Sequence, residues 1–334
     1  MIDRGVERSW PAGRIDPDSP EAPSRVISRA GCEFLLAISA EGIRTFGSLP
    51  RAIFFKAIVT ANVQHITRSA VRTWRYARLD QIAPESERRP VSILGLAQSL
   101  HRPFETTREN VNALIGEGLV VKKEGGVIVP TEVLLSDLVV AMDDRLWRSF
   151  CEMIASLKSL NFDFSVVLGE AVESSAVVIQ DHFMPSLSTR SPRRLVSRVI
   201  SEFYLGSAVE ANAQHGDDWV MGQVSTGFIM ANSAAWRLDP EQAWLFSKAK
   251  SPMPDSLQAP ASIAQVARLT GLGEKLVRRK AHDLVDAGRL TRLRGGFLVS
   301  IDYMNGPEIR AGAAAIVSAF YRMIRDLKAL GVRL

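Results

Sequence analysis

From Pro260 the chain reads PASIAQVARLTGLGEKLVRRKAHDLVDAGRLTRLRGGFLVS. Ile263, Val266 and Ala267 share one helical face after Ser262, so a short helix is expected there. Thr270-Gly271-Leu272-Gly273 reads as a turn, with Gly271 able to take a positive φ. Val277, Ala281, Leu284 and Val285 then recur at i, i+4, i+7 and i+8, the inward face of a second helix. Gly288 stands where a C′ glycine ends a helix. Apolar residues resume at Leu290–Leu293 and Phe297–Val299 on either side of Gly295-Gly296, the pattern of a β-hairpin. The predicted order is helix, turn, helix, hairpin. A longer amphipathic helix follows, ending in FYRMIRDLKAL.

The same order is predicted 170 residues earlier, from SILGLAQSLHRPFETTRENVNALIGEGLVVKKEGGVIVP to FCEMIASLKSL. Between Pro90–Leu160 and Pro260–Leu330, 17 of 71 pairs are identical without a gap. They include Ala97 with Ala267, Arg108 with Arg278, Leu114 with Leu284, Gly118 with Gly288 and Gly125-Gly126 with Gly295-Gly296. Upstream the match is fainter: Ala61-Asn62 meets Ala231-Asn232, and Ser28-Arg29 meets Ser197-Arg198 one indel away. A period this long is a duplicated domain rather than a solenoid. The expected division is an arm at 1–25, a first unit at 26–162, a linker at 163–193 and a second unit at 194–334. Both terminal helices carry apolar stripes at i, i+3, i+4, i+7 and i+10. In the first they are Phe150, Met153, Ile154, Leu157 and Leu160. Either the two stripes pack within a covalent pseudo-dimer, or each docks on the helices of its own unit.

The helix, turn, helix and hairpin of 259–300 resemble the DNA-binding half of bacterial winged helix-turn-helix regulators of the GntR, MarR and Crp kinds. The matching residues are Ala267, Val277-Arg278-Arg279, Leu284, Gly288 and the Gly295-Gly296 wing. The copy at 89–130 is similar through Leu96-Ala97, Thr107-Arg108, Leu114, Gly118-Leu119-Val120 and Gly125-Gly126. It departs at Pro103, where such families often place a Ser or Thr cap; proline fits a first helical turn, so the fold should survive. The resemblance implies a mainly α protein with small β-hairpin wings. It would consist of two tandem winged-helix units with flanking helices, arranged as a pseudo-dimer.

The resemblance also implies double-stranded DNA as the partner. A recognition helix reads base edges, and a wing holds phosphates. In the second copy the outward helix positions are Lys275, Arg278, Arg279 and His282, and the hairpin adds Arg289, Arg292 and Arg294. Ala259–Ser300 holds eight Lys or Arg against three acids. The corresponding positions of the first copy are Glu105, Arg108, Glu109 and Asn112, with Lys122 and Lys123 on its wing. Arg89–Pro130 holds five Lys or Arg against four acids. The first copy is therefore either a weaker reader or a unit kept for packing, and two unlike half-sites are expected.

Composition adds bounds. The net charge of +5 favours an anionic partner only mildly. Two lone cysteines, Cys32 and Cys151, make neither a disulfide framework nor a zinc site and suit a reducing compartment. The N-terminus, polar and rich in proline, reads as a disordered arm, not a signal peptide. No apolar run reaches bilayer length, so a cytoplasmic protein without membrane association is expected. The five histidines lack metal-ligand spacing, and no P-loop, GxSxG or GxGxxG motif is present. An enzyme is therefore not expected, and no cofactor is implied. Aromatics upstream of each repeat, among them Phe34, Phe54, Trp74, Phe203, Trp219 and Trp236, are read as core before effector pocket; any small-molecule effector is left unspecified. The oligomeric state is open between a monomer acting as a pseudo-dimer and a homodimer. Two other functions stay open: a protein-interaction module, and a replication initiator of the plasmid type.

Overall fold

A computed structural model describes residues 23–160, 162–164, 191–216, 218–234, 245–247 and 257–334. Most of the expected arm and linker lies outside these residues, as do Trp236 and His182. The chain is mainly helical with two small antiparallel hairpins. The first half holds α1 (Ser24–Phe46), α2 (Leu49–Thr67), α3 (Ala70–Arg75), α4 (Ile93–Ser99) and α5 (Phe104–Gly116). It continues with β1 (Val121–Lys123), β2 (Gly126–Ile128), α6 (Thr131–Leu134) and α7 (Asp137–Ser159). The second half holds α8 (Arg193–Gln214), α9 (Trp219–Asn232), α10 (Ile263–Thr270) and α11 (Glu274–Asp286). After them come β3 (Leu290–Leu293), β4 (Gly296–Val299), α12 (Ile301–Met304) and α13 (Pro307–Ala329).

Local geometry recurs at the same 170-residue spacing as the sequence. Lys123 pairs with Gly126 in one hairpin and Leu293 with Gly296 in the other. A single bridge extends each hairpin: Val91 to Val127, and Ala261 to Phe297. Positive φ values match as well: 73° at Gly118 and 68° at Gly288, 84° at Gly125 and 99° at Gly295. His101 at 50° occupies the turn position where the second half has Gly271 at 71°. Ser262 caps α10 in a reciprocal capping box with Gln265, and Ser92 caps α4 alone. Pro103 sits one place earlier than its expected site in the first turn: it is the N-cap of α5, as Gly273 is of α11, and neither gives a side-chain cap.

The pair Asn62 and Asn232 ties helix to hairpin in both halves. Asn62 donates from Nδ2 to the carbonyls of Arg89 (2.8 Å) and Val127 (3.1 Å), and its Oδ1 accepts from the Val129 amide at 3.1 Å. Asn232 donates to Ala259 (2.8 Å) and Phe297 (2.9 Å) and accepts from Val299 at 2.9 Å. Each is 1% exposed. One side chain thus satisfies a buried strand amide, that of Val129 or Val299, and ties it to two carbonyls, of which that of Val127 or Phe297 also accepts from the bridging residue.

Gly296 shows why the hairpin turn needs glycine. A Cβ there would sit inside van der Waals contact with the Ala261 carbonyl, which belongs to the bridging strand. Gly296→Ala should therefore lower stability by about 2 kcal/mol, read as a drop in the thermal midpoint. Gly288→Ala, with nothing within 4 Å of its added Cβ, should show only the smaller cost of its positive φ.

The repeats are separate in sequence but not in their cores. One apolar cluster contains Phe150, Met153, Ile154 and Leu157 of α7 together with Phe320, Met323, Ile324 and Leu327 of α13. The chief neighbours of these two stripes are α1 and α8: α1 packs on both α7 and α13, and α8 packs on α13, α2 and α7. Phe34 of α1 lies 6.0 Å from Phe150 and 6.4 Å from Phe203 of α8. The stripes are thus buried across the repeat boundary, by way of α1 and α8. A second cluster beneath β3 and β4 joins Val224 and Phe228 of α9 to Val266, Val277 and Leu284. Most upstream aromatics are core: Phe34, Phe54, Phe55, Phe203, Tyr204, Trp219 and Phe228 are buried. Trp74, half-buried, donates to the Leu330 carbonyl at 2.8 Å.

Candidate nucleic-acid interface

In α11, Val277, Ala281 and Leu284 are buried. Three- and four-residue spacing then forces Lys275, Arg278, Arg279 and His282 onto the opposite face, and all four are exposed. Glu274 in the first turn suits the positive helix end. Lys280, on the flank, is drawn away: it pairs with Asp218 at 2.8 Å and Asp283 at 3.3 Å. The hydrogen bond to Asp218 holds its pKa above the usual lysine value.

The hairpin is oriented by its register. Arg292 is opposite Phe297, so the two side chains leave the same face of the hairpin. The Phe297 ring lies 6.3 Å from that of His282. The face carrying Arg292 is therefore turned toward α11. Arg292 and Arg294 are exposed. Among the described residues, Lys275, Arg278, Arg279, Arg292 and Arg294 form no ion pair or side-chain hydrogen bond.

Arg289 is placed differently from the other cations. It is half-buried, stacks over the Tyr303 ring at 5.1 Å and pairs with Glu308 at 3.1 Å. Its Nη1 also donates to His215 Nδ1 at 3.5 Å. Burial first, and then the Arg289 charge, push the His215 pKa below its ordinary value. The folded state thus binds fewer protons at this ring than the unfolded state. Stability should fall as pH drops through about 6.5, the unfolded value. His215→Gln should flatten that acid limb in denaturant melts at pH 5 and 7.

The first half presents a weaker surface. Glu105, Arg108, Asn112, Lys122 and Lys123 are all exposed, but two of the three cations are engaged. Arg108 donates from Nε at 2.8 Å and from Nη2 at 2.6 Å to Glu105 Oε2, which raises its pKa. Lys123 pairs with Glu85 at 2.8 Å. Glu109 adds another exposed acid. The Glu105–Arg108 link was readable in principle, since the two stand at i, i+3 on one helix. Lys123–Glu85 joins a hairpin to a distant 3-10 turn and left no local signal.

Among the described residues no cluster of three or more His, Cys, Asp or Glu could hold a metal ion, and no helix is long and apolar enough to cross a membrane. Burial pushes the Cys32 thiol up to about 12, far from a reactive thiolate. No family model, curated protein or solved structure matches the chain.

Proposed function

We propose that the protein binds double-stranded DNA as a transcriptional regulator, through a duplicated winged helix-turn-helix of which the second copy is the principal reader. The observation that carries this reading is the set of five exposed, unpaired cations on α11 and the β3–β4 hairpin. α11 would enter the major groove, with Arg278 and Arg279 suited to the O6 and N7 acceptors of guanine. Arg292 and Arg294 would hold phosphates. Because the first copy's cations are largely neutralised by Glu105 and Glu85, Arg108→Ala should change duplex affinity by less than about threefold. Equilibrium titration with the wild-type duplex site checks this.

Selection of duplexes from a random pool tests the reading. An enriched site without twofold symmetry is expected, since the two copies of one chain present different side chains. No enrichment over the input pool would contradict sequence-specific binding.

A second reading applies to the first copy alone. Leu94 is 55% and Phe104 44% exposed, where the second copy has Ala264 and Glu274. An exposed phenylalanine at the start of α5, the counterpart of the reading helix, and an exposed leucine on α4 suit a protein partner better than phosphate.

A further inference from the structure

A cavity of about 80 Å³ lies between α2, α7 and α8 and is bordered by Gln81, Ile82 and Ala83. Four cations line it: Lys56, Arg88, Arg194 and Arg198. The one acid on its lining is Asp143. Arg88, 4% exposed, donates to the Val129 carbonyl and to Thr131 Oγ1, both at 2.5 Å. Arg194 Nε donates to the Leu79 carbonyl and Arg198 Nη2 to that of Thr73, each at 2.8 Å. These bonds fix the guanidinium planes without neutralising them. A buried nitrogen stays without a partner on each: Arg88 Nε, Arg194 Nη2 and Arg198 Nε. Among the described residues the ammonium of Lys56, a residue 9% exposed, has no hydrogen bond or ion pair.

Buried charge without a counter-charge is expensive, and this cluster holds four cations against one carboxylate. The other acids near it, Glu85 and Glu132 beside Arg88 and Asp80 beside Arg194, act at a distance. Burial lowers the pKa of all four cations, that of Arg198 to about 10. The repeat keeps only part of the cluster: Arg25 and Arg29 stand at the positions of Arg194 and Arg198, one indel away, but the rest is not repeated. In the second half the positions of Lys56, Arg88 and Asp143 are Thr226, Gln258 and Ala313. The remaining walls include Phe55, Val59, Ile82 and Met142, so the cavity has a cationic side and an apolar side.

We propose that this cavity binds a small organic carboxylate with an apolar body, its charge held by Lys56, Arg88, Arg194 and Arg198. Two of these cations come from each half, so the ligand would bridge α2 to α8. The proposal does not depend on the DNA reading, and its test contains no DNA.

Isothermal titration of the full chain with benzoate, inorganic phosphate and benzyl alcohol tests it. Saturable benzoate binding is expected, with phosphate and the neutral alcohol each at least about tenfold weaker. Lys56→Met should weaken benzoate at least about tenfold. Asp143→Asn, which removes the competing carboxylate, should tighten it; this opposite sign is not a consequence of misfolding. No saturable benzoate binding would overturn the proposal. So would phosphate or benzyl alcohol binding as tightly as benzoate, or an unchanged affinity in both variants.

Discussion

Replacing Arg278 and Arg279 together by alanine is expected to weaken duplex DNA binding by about 100-fold or more at moderate salt. Each arginine can make bidentate contacts to guanine or phosphate, and loss of one such contact costs about 1–3 kcal/mol. On a duplex of random sequence, where both arginines meet phosphate instead of guanine, the slope of log K against log salt should also become shallower by about 2. The fold should be untouched. Both side chains are exposed, neither has an internal partner, and alanine is a better helix former than arginine. Titration by fluorescence anisotropy, with a thermal melt of the same sample, reads affinity and stability separately. An unchanged affinity in the double variant would remove α11 from the interface.

The second large effect is structural. Asn232→Ala should cost about 2 kcal/mol, because it strands the buried amide of Val299 and removes the ties to the carbonyls of Ala259 and Phe297, the latter still held by the Ala261 amide. Asn62→Ala strands the buried Val129 amide in the same way, while the Val127 carbonyl keeps its bond from the Val91 amide, and should cost a similar amount. Denaturant melts give both values. The two should differ in function: at a temperature where both remain folded, only Asn232→Ala loosens the hairpin that carries Arg292 and Arg294. Equal losses of DNA affinity in the two variants would contradict the assignment of binding to the second half.

Much of this architecture is legible in the residues because it rests on local rules. Inward spacing of Val277, Ala281 and Leu284 defines α11 and hence which arginines face out. Paired glycines locate both hairpins, since backbone at Gly296 must approach Ala261 too closely for any Cβ. The faint upstream identity at Asn62 and Asn232 is a hydrogen-bonding device, three bonds in each half. What could not be read depends on tertiary closure. The stripes of α7 and α13 look alike, but their burial through α1 and α8 across the repeat boundary follows from packing alone. Arg289 resembles its neighbours in sequence and is withdrawn by Tyr303 and Glu308. The buried cations at 56, 88, 194 and 198 are too far apart in the chain to form a motif. The local signals are slight: Lys56 stands inside the apolar run AIFFKAIV, and Arg194 and Arg198 are an i, i+4 pair.

The central claim is that the five exposed cations of the second half, unpaired among the described residues, are the DNA-binding surface; on a duplex of random sequence, where no guanine is read, all five meet phosphate. Titration of the 334-residue chain into a labelled random-sequence duplex across a salt series tests it most directly. Five phosphate contacts predict that log K falls with log salt at a slope of about −4.5. No binding at low salt by protein shown to be folded would contradict the account and turn attention to protein partners.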